Sequence, residues 1–363
     1  MTPPSQTQPS YTQPSYTRSS VRSTSRSLPA ADKGSTLSIR VPADYVLARD
    51  VCSYGYFLLA PNHWDPESQS LTRTLALSGV TATTLITQPP ERGHAARSAK
   101  AKPRGRPLRA RFDAVLNRAA QAEARRQITR MLRLDEDAGV VRRFHTLDPR
   151  WKRSGRGRLF RSPSLFEDIV KTVTSCNVAW PSTINMNRRL CDLLGAKSAA
   201  GQRAFPSPQK LARTRPGTLR ARCRVGYRDQ RLIDLARLYA KGHIDTAWLE
   251  SSRTSDDDAY AFLLTLPGVG PYAAGNIMQL LGRYSRLALD TESVRHAKMS
   301  LGMQGTDREI LKRLATHYEP FGEHKFRAYW FELWADYESK RGPASTWDRD
   351  TTGKTFTAAL LKD

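Results

Sequence analysis

The sequence is short of acidic residues, of long apolar runs and of clustered cysteines. No uninterrupted apolar run approaches the ~20 residues that a membrane-spanning helix needs, which excludes a membrane-spanning protein. The four cysteines, Cys52, Cys176, Cys191 and Cys223, are scattered and have no pairwise spacing typical of a metal site. We interpret them as reduced thiols of an intracellular protein.

The shortage of acidic residues leaves a large positive charge. The 363 residues include 58 Lys and Arg against 34 Asp and Glu, which gives a formal net charge of +24. A chain with this excess repels itself unless an anionic partner is near. The basic residues do not gather on one amphipathic helix, as they would in a protein bound to a membrane surface. The composition therefore favours a nucleic acid as the partner.

The composition divides the chain into four parts. Residues 1–36 are rich in Ser, Thr, Pro and Gln, with too few aliphatic side chains for a core, which predicts a disordered tail. Residues 37–134 carry strand signals at STLSIRV, GYFLLA, TRTLAL and TATTLI and then one helical pattern, which predicts an antiparallel α+β domain. Residues 135–342 carry eight segments with the 3.6-residue periodicity of amphipathic helices. They predict a larger helical domain, followed by a polar tail at 343–363.

A tight link between two predicted helices lies at residues 266–271. Gly268 and Gly270 permit backbone angles and close approaches that side chains forbid, and Val269 between them is expected to point inward. Pro271 suits the first position of the next helix. The backbone amides of the turn would then face outward and form an anion site suited to a DNA phosphate. A simple helix connector is the alternative, because a Gly-x-Gly pattern is weak by itself.

A carboxylate follows this link at a notable distance. Asp290 lies twenty residues after Gly270 and introduces another predicted helix, where Asp is most simply an N-cap. LPGVG followed at this distance by such an Asp strongly resembles the helix-hairpin-helix DNA glycosylases, the superfamily of endonuclease III. LFEDIVKTVTSCN, GYRDQRLIDLA and FRAYWFELW resemble further helices of that superfamily. The strand-rich domain is similar to that of the 3-methyladenine II and 8-oxoguanine glycosylase branches, so the similarity spans about residues 37–340.

The resemblance implies an α+β protein in which a small antiparallel sheet and a helix precede a mostly α-helical glycosylase domain. It also implies that Asp290 is the catalytic residue. Cleavage of a base from deoxyribose passes through an oxocarbenium-like state, which a fixed carboxylate in a water-poor site stabilises. The two roles of Asp290 are compatible, because a cap fixes the carboxylate that the family aims at the sugar. Glu292, two residues later, is expected to face solvent.

Tyr272 stands where bifunctional relatives carry the lysine that forms a Schiff base with the sugar. Since a phenol cannot form an imine, the resemblance implies hydrolysis without lyase activity. An aromatic residue at this place lines the base pocket of the 3-methyladenine II branch, which favours an alkylated purine as the substrate. Helix packing is the alternative role for Tyr272.

No cofactor is expected. The iron–sulfur signature of endonuclease III needs four cysteines after the hairpin, and no Cys follows Cys223. No metal-ligand cluster is visible in the sequence. A structural monovalent cation at the hairpin is compatible with the resemblance.

Two basic segments are candidate DNA contacts. Residues 102–107, KPRGRP, match the AT-hook, which would lay Arg104 and Arg106 along a minor groove. The alternative is a solvated basic loop over 92–111. Arg156 and Arg158, in a second Gly-Arg loop, are expected to face phosphates or simply to be exposed.

Two further groups are candidate site residues. Asn177 matches the family position whose side chain enters the gap left by a flipped base, and a helix C-cap is its alternative role. The aromatic stripe at 326–337 has helical spacing and is expected to be mostly core, with one of its rings at the edge of the pocket.

The sequence therefore predicts a monofunctional DNA glycosylase of base excision repair that acts as a monomer on double-stranded DNA containing a damaged base. A non-catalytic DNA-damage-binding protein with the same fold is one alternative. A glycosylase for oxidised or mismatched bases is another. We expect the protein inside the cell with DNA, in a nucleus or a bacterial nucleoid. The N-terminal tail, in which Arg18, Arg22 and Arg26 precede the first acid, leaves an organelle open.

Overall fold

The N-terminal part of the chain is an antiparallel sheet. The computed structural model describes residues 34–90 and 105–351. Its strands are β1 Thr36–Ile39, β2 Asn62–Asp65, β3 Ser70–Leu77, β4 Val80–Thr87 and β5 Leu108–Phe112. They are ordered β1-β5-β4-β3-β2, and every neighbouring pair is antiparallel. The sheet confirms the predicted N-terminal α+β domain.

The strand predictions need two corrections. GYFLLA, predicted as a strand, begins instead with a 3-10 helix at Gly55–Leu58. All of residues 56–60 are buried, and such an apolar run has no periodicity that separates a strand from a helix. Conversely, β2 lies outside the four segments with strand signals, and β5 begins inside the predicted loop 92–111 and ends one residue beyond it. Pairing with neighbouring strands outweighs local preference at both places.

The rest of the described chain is mostly helical. Each of the eight helical segments predicted after residue 135 contains one helix. No helix of the described residues is both long enough and apolar enough to cross a membrane. The α-helices of the described residues are α1 Leu47–Val51, α2 Arg118–Met131, α3 Ala138–Leu147, α4 Leu165–Ser175, α5 Trp180–Leu194, α6 Pro208–Ala212, α7 Pro216–Thr218, α8 Asp229–Ala240, α9 Thr246–Glu250, α10 Asp256–Leu264, α11 Pro271–Leu281, α12 Thr291–Ser300, α13 Asp307–Tyr318 and α14 Lys325–Arg341.

Helix α4 is buried along nearly its whole length, although it carries charged side chains. A buried charge needs a partner. Glu167 accepts a hydrogen bond from Arg73 of β3 at 2.5 Å and lies 2.7 Å from Lys171. Asp168 binds Arg130 of α2 at 2.8 Å. These buried pairs fasten the sheet and α2 to the helical part of the chain.

Helix α11 packs against the extended segment that precedes α12. A Cβ on Gly275 would lie only 2.7 Å from the backbone oxygen of Leu287. Real Cβ atoms do not come so close, so a glycine is required where the two backbones meet. This approach brings Asp290 beside the start of α11.

The end of the described chain packs back onto the sheet. Trp347 is buried, Trp64 Nε1 donates to the Ser345 carbonyl at 2.8 Å, and Arg349 Nε donates to the Leu58 carbonyl at 2.8 Å. Residues 343–351 are therefore a packed segment rather than the predicted tail, because Trp347 supplies apolar surface that binds it to the core.

One apolar core joins the sheet with α14, so the last helix packs on the first domain. A second core lies among α4, α5, α8, α10 and α11. The cleft described below lies where residues of both cores meet. Most of the predicted N-terminal tail, residues 1–33, and the end of the C-terminal tail, residues 352–363, lie outside the described residues.

Candidate active site

The link between α10 and α11 has the backbone geometry of a tight hairpin between two helices. Gly268 has a φ of +80°, in the left-handed region that favours glycine. Val269 points inward and is buried. Gly270 is the N-cap of α11, and Pro271 occupies the first helical position. Gly268, Val269 and Pro271 thus have the predicted local conformations, whereas Gly270 has a φ of −99° and open space for a Cβ, so that position does not require glycine. The hairpin forms one edge of a large cleft.

Asp290 lies in this cleft as the N-cap of α12. Its Oδ1 accepts hydrogen bonds from the backbone amides of Glu292 at 3.0 Å and Ser293 at 3.1 Å. The Ser293 hydroxyl in turn accepts from the Asp290 amide at 3.0 Å, which completes a capping box. The predicted cap is confirmed, and it holds the carboxylate in one orientation.

The electrostatics of Asp290 are those of a carboxylate withdrawn from water. Burial raises the pKa of Asp290 above its usual value. The amides of Glu292 and Ser293 and the Ser293 hydroxyl oppose that rise, because each donates a hydrogen bond to Oδ1, and the nearby Tyr272 hydroxyl acts in the same direction. Those hydrogen bonds favour the ionised form, and a carboxylate charge withdrawn from water acts strongly on anything in the cleft.

Tyr272 lies on the first turn of α11 and is half-buried beside Asp290. Burial and the neighbouring Asp290 charge raise the pKa of the Tyr272 phenol well above its usual value. The phenol therefore keeps its proton and can donate it in a hydrogen bond. Tyr272 also lines the cleft, so its ring is available to a bound group as well as to helix packing.

The cleft has a volume of about 1220 Å³. Its polar groups include the Tyr54 hydroxyl, which donates to the Asn276 side-chain carbonyl at 3.0 Å. Its aromatic side chains come mostly from the first domain, α11 and α14. The aromatic residues that line the cleft are Tyr54, Tyr56, Trp180, Tyr227, Tyr272, Phe326, Tyr329, Trp330, Trp334, Tyr337 and Trp347.

Within the aromatic stripe of α14, Trp330 is the ring at the pocket edge. It is half-buried, whereas Phe326, Tyr329 and Trp334 are nearly fully buried. The indole is held by a 2.8 Å hydrogen bond from its Nε1 to the Ser53 carbonyl. Its centroid lies 4.7 Å from that of Tyr54. The two rings form a rigid aromatic wall, since their positions are set by packing and a hydrogen bond.

The mouth of the cleft carries Asn177 and Tyr227. Asn177 follows α4 with a φ of +52°, which fits its alternative role at the helix end, and its side chain is exposed beside the cleft. Tyr227 is 52% exposed although it is aromatic. The guanidinium groups of Arg228 and Arg231 lie 4.4 and 5.0 Å from its ring centroid, so two cation–π contacts hold the exposed ring in place.

Solved structures with the same architecture are DNA glycosylases. An 8-oxoguanine glycosylase/lyase from Clostridium acetobutylicum bound to double-stranded DNA matches with a TM-score of 0.56 at 18% identity, over 79% of this chain and 93% of that one. MBOgg1 in complex with a DNA ligand matches with a TM-score of 0.59 at 20% identity, over 86% and 98%. A 3-methyladenine DNA glycosylase from Archaeoglobus fulgidus matches with a TM-score of 0.57 at 16% identity, over 84% and 98%.

This chain has the helix-hairpin-helix DNA glycosylase fold. The fold predicted from the hairpin and the Asp290 spacing is therefore confirmed. No protein-family model and no curated protein sequence matches the chain.

Arg158, which was expected to face a phosphate or to be exposed, is buried. Its side chain is only 1% exposed and binds the Asp44 carboxylate at 2.8 Å, so it does not face a phosphate. The Gly-Arg loop folds back because the buried Arg158 joins it to the sheet domain. Arg156 is partly exposed and is bound to Glu338 of α14. Lys152 and Arg153 are the exposed cations of this loop.

The structure describes only the second half of the predicted AT-hook, from Gly105 onward. Arg104 lies outside the described residues. Arg106 is half-buried and donates to the Pro89 carbonyl at 3.0 Å. A Cβ on Gly105 would lie 2.2 Å from the Pro42 carbonyl oxygen, so this glycine is pressed against backbone. The second half of the motif is thus anchored to the sheet domain.

The cysteines of the described chain are free thiols, and Cys52, Cys191 and Cys223 are buried. Cys176 lies at the cleft, where burial raises the pKa of its thiol to about 11, so it is an unreactive neutral group there. Over residues 34–90 and 105–351, no three His, Cys, Asp or Glu side chains lie together in a group that could hold a metal ion.

Several cleft residues were not predicted from the sequence. Tyr54 and Trp180 come from segments far from the hairpin in the chain. Tyr227 lies in GYRDQRLIDLA, which was interpreted only as the start of a helix. Glu292, expected in solvent, is partly buried at the cleft and bound to Arg295 at 2.5 Å. No local signal marks Tyr227, because single exposed apolar side chains are common on protein surfaces.

Proposed function

We propose that the protein is a monofunctional DNA glycosylase of base excision repair that removes an alkylated purine from double-stranded DNA. The observation that carries the proposal is Asp290, a fixed and partly buried carboxylate in an aromatic cleft beside a helical hairpin. A protein that only binds DNA would not be expected to carry a carboxylate there, because the negative charge of the carboxylate repels the phosphates of DNA. Its placement fits a reaction in which positive charge develops.

The reaction breaks the bond between C1′ of the deoxyribose and the nitrogen of the base. The bonding electrons leave with the base, and the sugar becomes an oxocarbenium-like cation. The Asp290 carboxylate stabilises that charge at short range and low dielectric. A water then attacks C1′ and gives up its proton to the carboxylate or to solvent, which leaves an abasic site with an intact strand.

The proposal of hydrolysis without strand cleavage is supported by the cleft lining. None of the described residues that line the cleft is a lysine. Lys298 is bound to Asp307 at 2.9 Å, and Lys171 is buried with Glu167 at 2.7 Å. A Schiff base needs a neutral amine beside C1′, and neither amine is free to take that role.

The proposal of an alkylated purine is supported by the lack of a good proton donor for the departing base among the groups of the cleft discussed below. An ordinary base must be protonated as it leaves, whereas an N-alkylated purine already carries a positive charge. Burial raises the pKa of the Tyr54, Tyr272 and Tyr329 phenols, which makes them poor acids. Glu292 is bound to Arg295. The cleft is therefore suited to a base that leaves as a neutral molecule without help.

The aromatic walls support the same class of substrate. Trp330 and Tyr272 are half-buried rings that line the cleft, and the face of such a ring binds a cationic ring system more strongly than a neutral one. The neighbours with this fold are glycosylases for 8-oxoguanine and for 3-methyladenine. The walls of this cleft favour the second kind of base, with oxidised or mismatched bases as the alternative.

The proposed DNA contacts surround the cleft. The hairpin amides of Gly268, Val269 and Gly270 would bind a phosphate. Asn177 and Tyr227 would enter the space left by the flipped nucleotide, since both are exposed at the mouth. The excess positive charge would supply nonspecific affinity for the duplex. We propose that the protein acts as a monomer on DNA in a nucleus or nucleoid. It would need no cofactor, and any cation bound at the hairpin would have a structural role.

A panel of duplexes with one defined lesion each tests this proposal. Each duplex carries 3-methyladenine, 7-methylguanine, 8-oxoguanine, uracil or a mismatch, and release of the free base is measured under single turnover. We expect the fastest release from an alkylated purine. The same release in EDTA is expected, because the reaction uses no metal. Release of 8-oxoguanine alone would overturn the substrate class, and release from no lesion would overturn the glycosylase function.

A further inference from the structure

The Ser293 hydroxyl is a junction between the Asp290 carboxylate and helix α14. Ser293 is fully buried on the first turn of α12. Its Oγ lies 3.0 Å from the Asp290 amide nitrogen, 3.2 Å from Asp290 Oδ1 and 2.7 Å from the Tyr329 hydroxyl. Tyr329 is itself only 2% exposed, so water does not compete for these bonds.

The directions of these bonds follow from the number of protons. A serine hydroxyl has one proton to donate and accepts through its lone pairs. The Asp290 amide can only donate, and the ionised carboxylate can only accept. The single Ser293 proton therefore goes to Asp290 Oδ1. The bond between the two hydroxyls must then run from Tyr329, as the donor, to Ser293, as the acceptor.

The two oxygens of Asp290 consequently differ. Oδ1 accepts from two backbone amides, at 3.0 and 3.1 Å, and from the Ser293 hydroxyl at 3.2 Å. These three donors all belong to the first turn of α12. Oδ2 makes none of these bonds, which leaves it to the neighbouring Tyr272 hydroxyl and the cleft.

We propose that Tyr329 is a positioning residue for Asp290, acting through Ser293, and that the chain Tyr329–Ser293–Asp290 turns Oδ2 toward the deoxyribose. This inference rests on the proposed glycosylase function. Tyr329 polarises the Ser293 hydroxyl and prevents it from rotating away, which strengthens its bond to Oδ1. Tyr329 on α14 thereby holds the carboxylate at the N-cap of α12 through the Ser293 hydroxyl.

The chain acts on the protonation of Asp290 together with the other groups that face it. Those groups are Tyr272 on α11, Tyr54 near the sheet, Cys176 after α4, Glu292 on α12 and Tyr329 on α14. A weaker bond from Ser293 stabilises the ionised carboxylate less, so loss of the chain raises the pKa of Asp290. The acid limb of the excision rate then moves to higher pH.

The first measurement needs no activity. In full-length protein with ¹³C-carboxyl aspartate, the resonance that is missing in Asp290→Asn is titrated. We expect Tyr329→Phe to raise the titration midpoint by about half a pH unit and Ser293→Ala to raise it by about one. Tyr318→Phe is the matched control, because its ring contacts Tyr329 at 5.5 Å while its hydroxyl bonds to Glu332. The control should leave the midpoint unchanged.

Coupling between the two variants separates positioning from packing. If Tyr329 acts through Ser293, Tyr329→Phe adds nothing to the midpoint in a Ser293→Ala background. Equal effects of Tyr329→Phe in both backgrounds would overturn the proposal. So would an unchanged midpoint in Ser293→Ala alone, a result that does not depend on the folding of the Tyr329 variant.

Excision provides the second measurement. On the duplex that the wild-type protein processes fastest, Tyr329→Phe should lower the single-turnover rate roughly three- to tenfold at neutral pH, with DNA affinity unchanged. A lower affinity at an unchanged rate would overturn the positioning role. A wild-type protein that releases no base refutes the proposed function, and the titration then still decides whether the hydrogen-bond chain exists.

Discussion

The Asn177 side-chain amide lies 3.5 Å from the Tyr227 hydroxyl at the mouth of the cleft. Asn177 follows α4, and Tyr227 precedes α8, so two distant parts of the chain present an amide and an exposed ring side by side. Both side chains can reach a nucleotide that approaches the cleft.

The exposed ring of Tyr227 should contribute to DNA distortion. We expect Tyr227→Ala to lower the excision rate about tenfold or more, because base–aromatic stacking contributes ~1–3 kcal/mol. Trp248→Ala is the control, since Trp248 is also exposed, at 39%, but does not line the cleft. Single-turnover excision and fluorescence of a base analogue beside the lesion measure the effect. Equal losses in the two variants would show that Tyr227 only supports the fold.

Removal of the Asp290 charge should abolish excision. Asn caps a helix about as well as Asp, so Asp290→Asn keeps α12 and loses the carboxylate. We expect a rate lower by several orders of magnitude, equivalent to roughly 4 kcal/mol or more of transition-state stabilisation. Glu292→Gln is the neighbouring control and should retain most of the rate. Near-normal excision by Asp290→Asn would leave Asp290 as a cap alone.

The same substitution should stabilise the protein at neutral pH. Burial raises the pKa of Asp290 in the folded state, so the folded protein binds the proton more tightly than the unfolded chain does. The protonated carboxyl of Asp290 therefore adds to the free energy of unfolding at low pH, and this contribution is lost as the pH rises through the raised pKa. Asp290→Asn should raise Tm by about 2 °C at pH 7.

The gain in Tm should shrink below the usual pKa of an aspartate, where the wild-type carboxyl is protonated in both states. Asp336→Asn should bring no gain, because the Arg295 guanidinium at 2.8 Å holds the pKa of Asp336 below its usual value. Thermal melts at several pH values measure both variants. A lower Tm for Asp290→Asn at neutral pH would contradict the inference that burial of the Asp290 charge destabilises the folded protein.

Borohydride should trap no covalent adduct between the wild-type protein and lesion DNA. With Tyr272 beside Asp290, water is the nucleophile, and strands should break only after alkali or heat. Tyr272→Lys would place an amine beside the carboxylate, so weak trapping is expected from that variant. Tyr272→Phe is the control and should trap nothing. A strong trapped band from the wild-type protein would contradict the monofunctional reaction while the fold stands.

DNA affinity should fall steeply with salt, and the basic segment before β5 should contribute to the slope. Deletion of 92–111 would remove β5, so neutralisation of the cations in 92–104 by Gln is the better test. Each lost phosphate contact should flatten the slope of log K against log salt by about 0.9. The cations are Arg92, Arg97, Lys100, Lys102 and Arg104.

A charge-preserving variant separates charge from groove recognition. Lysine in place of Arg92, Arg97 and Arg104 keeps the net charge but loses the flat guanidinium of an AT-hook. If the segment reads a minor groove, this variant keeps the salt slope and loses the preference for A·T-rich DNA. An unchanged slope in the Gln variant would show that the segment does not contact DNA.

The sequence by itself determined the parts of the molecule that depend on local spacing. The amphipathic period of 3.6 residues located eight helices, because burial of one helix face repeats at that period. Gly268 and Pro271 determined the hairpin, since their backbone preferences do not depend on the rest of the chain. The capping role of Asp290 also depends on local sequence, and it was correctly predicted.

Only the tertiary structure decided which distant residues meet. Arg158 looked like an exposed cation until its fold partner Asp44, more than a hundred residues away, was known. GYFLLA and Trp347 were misjudged because burial on all sides erases periodicity and because one indole can hold a polar segment on a core. The Tyr329–Ser293–Asp290 chain and the aromatic wall of Tyr54 and Trp330 join residues from separate elements. Such contacts follow from packing in three dimensions, which no local pattern records.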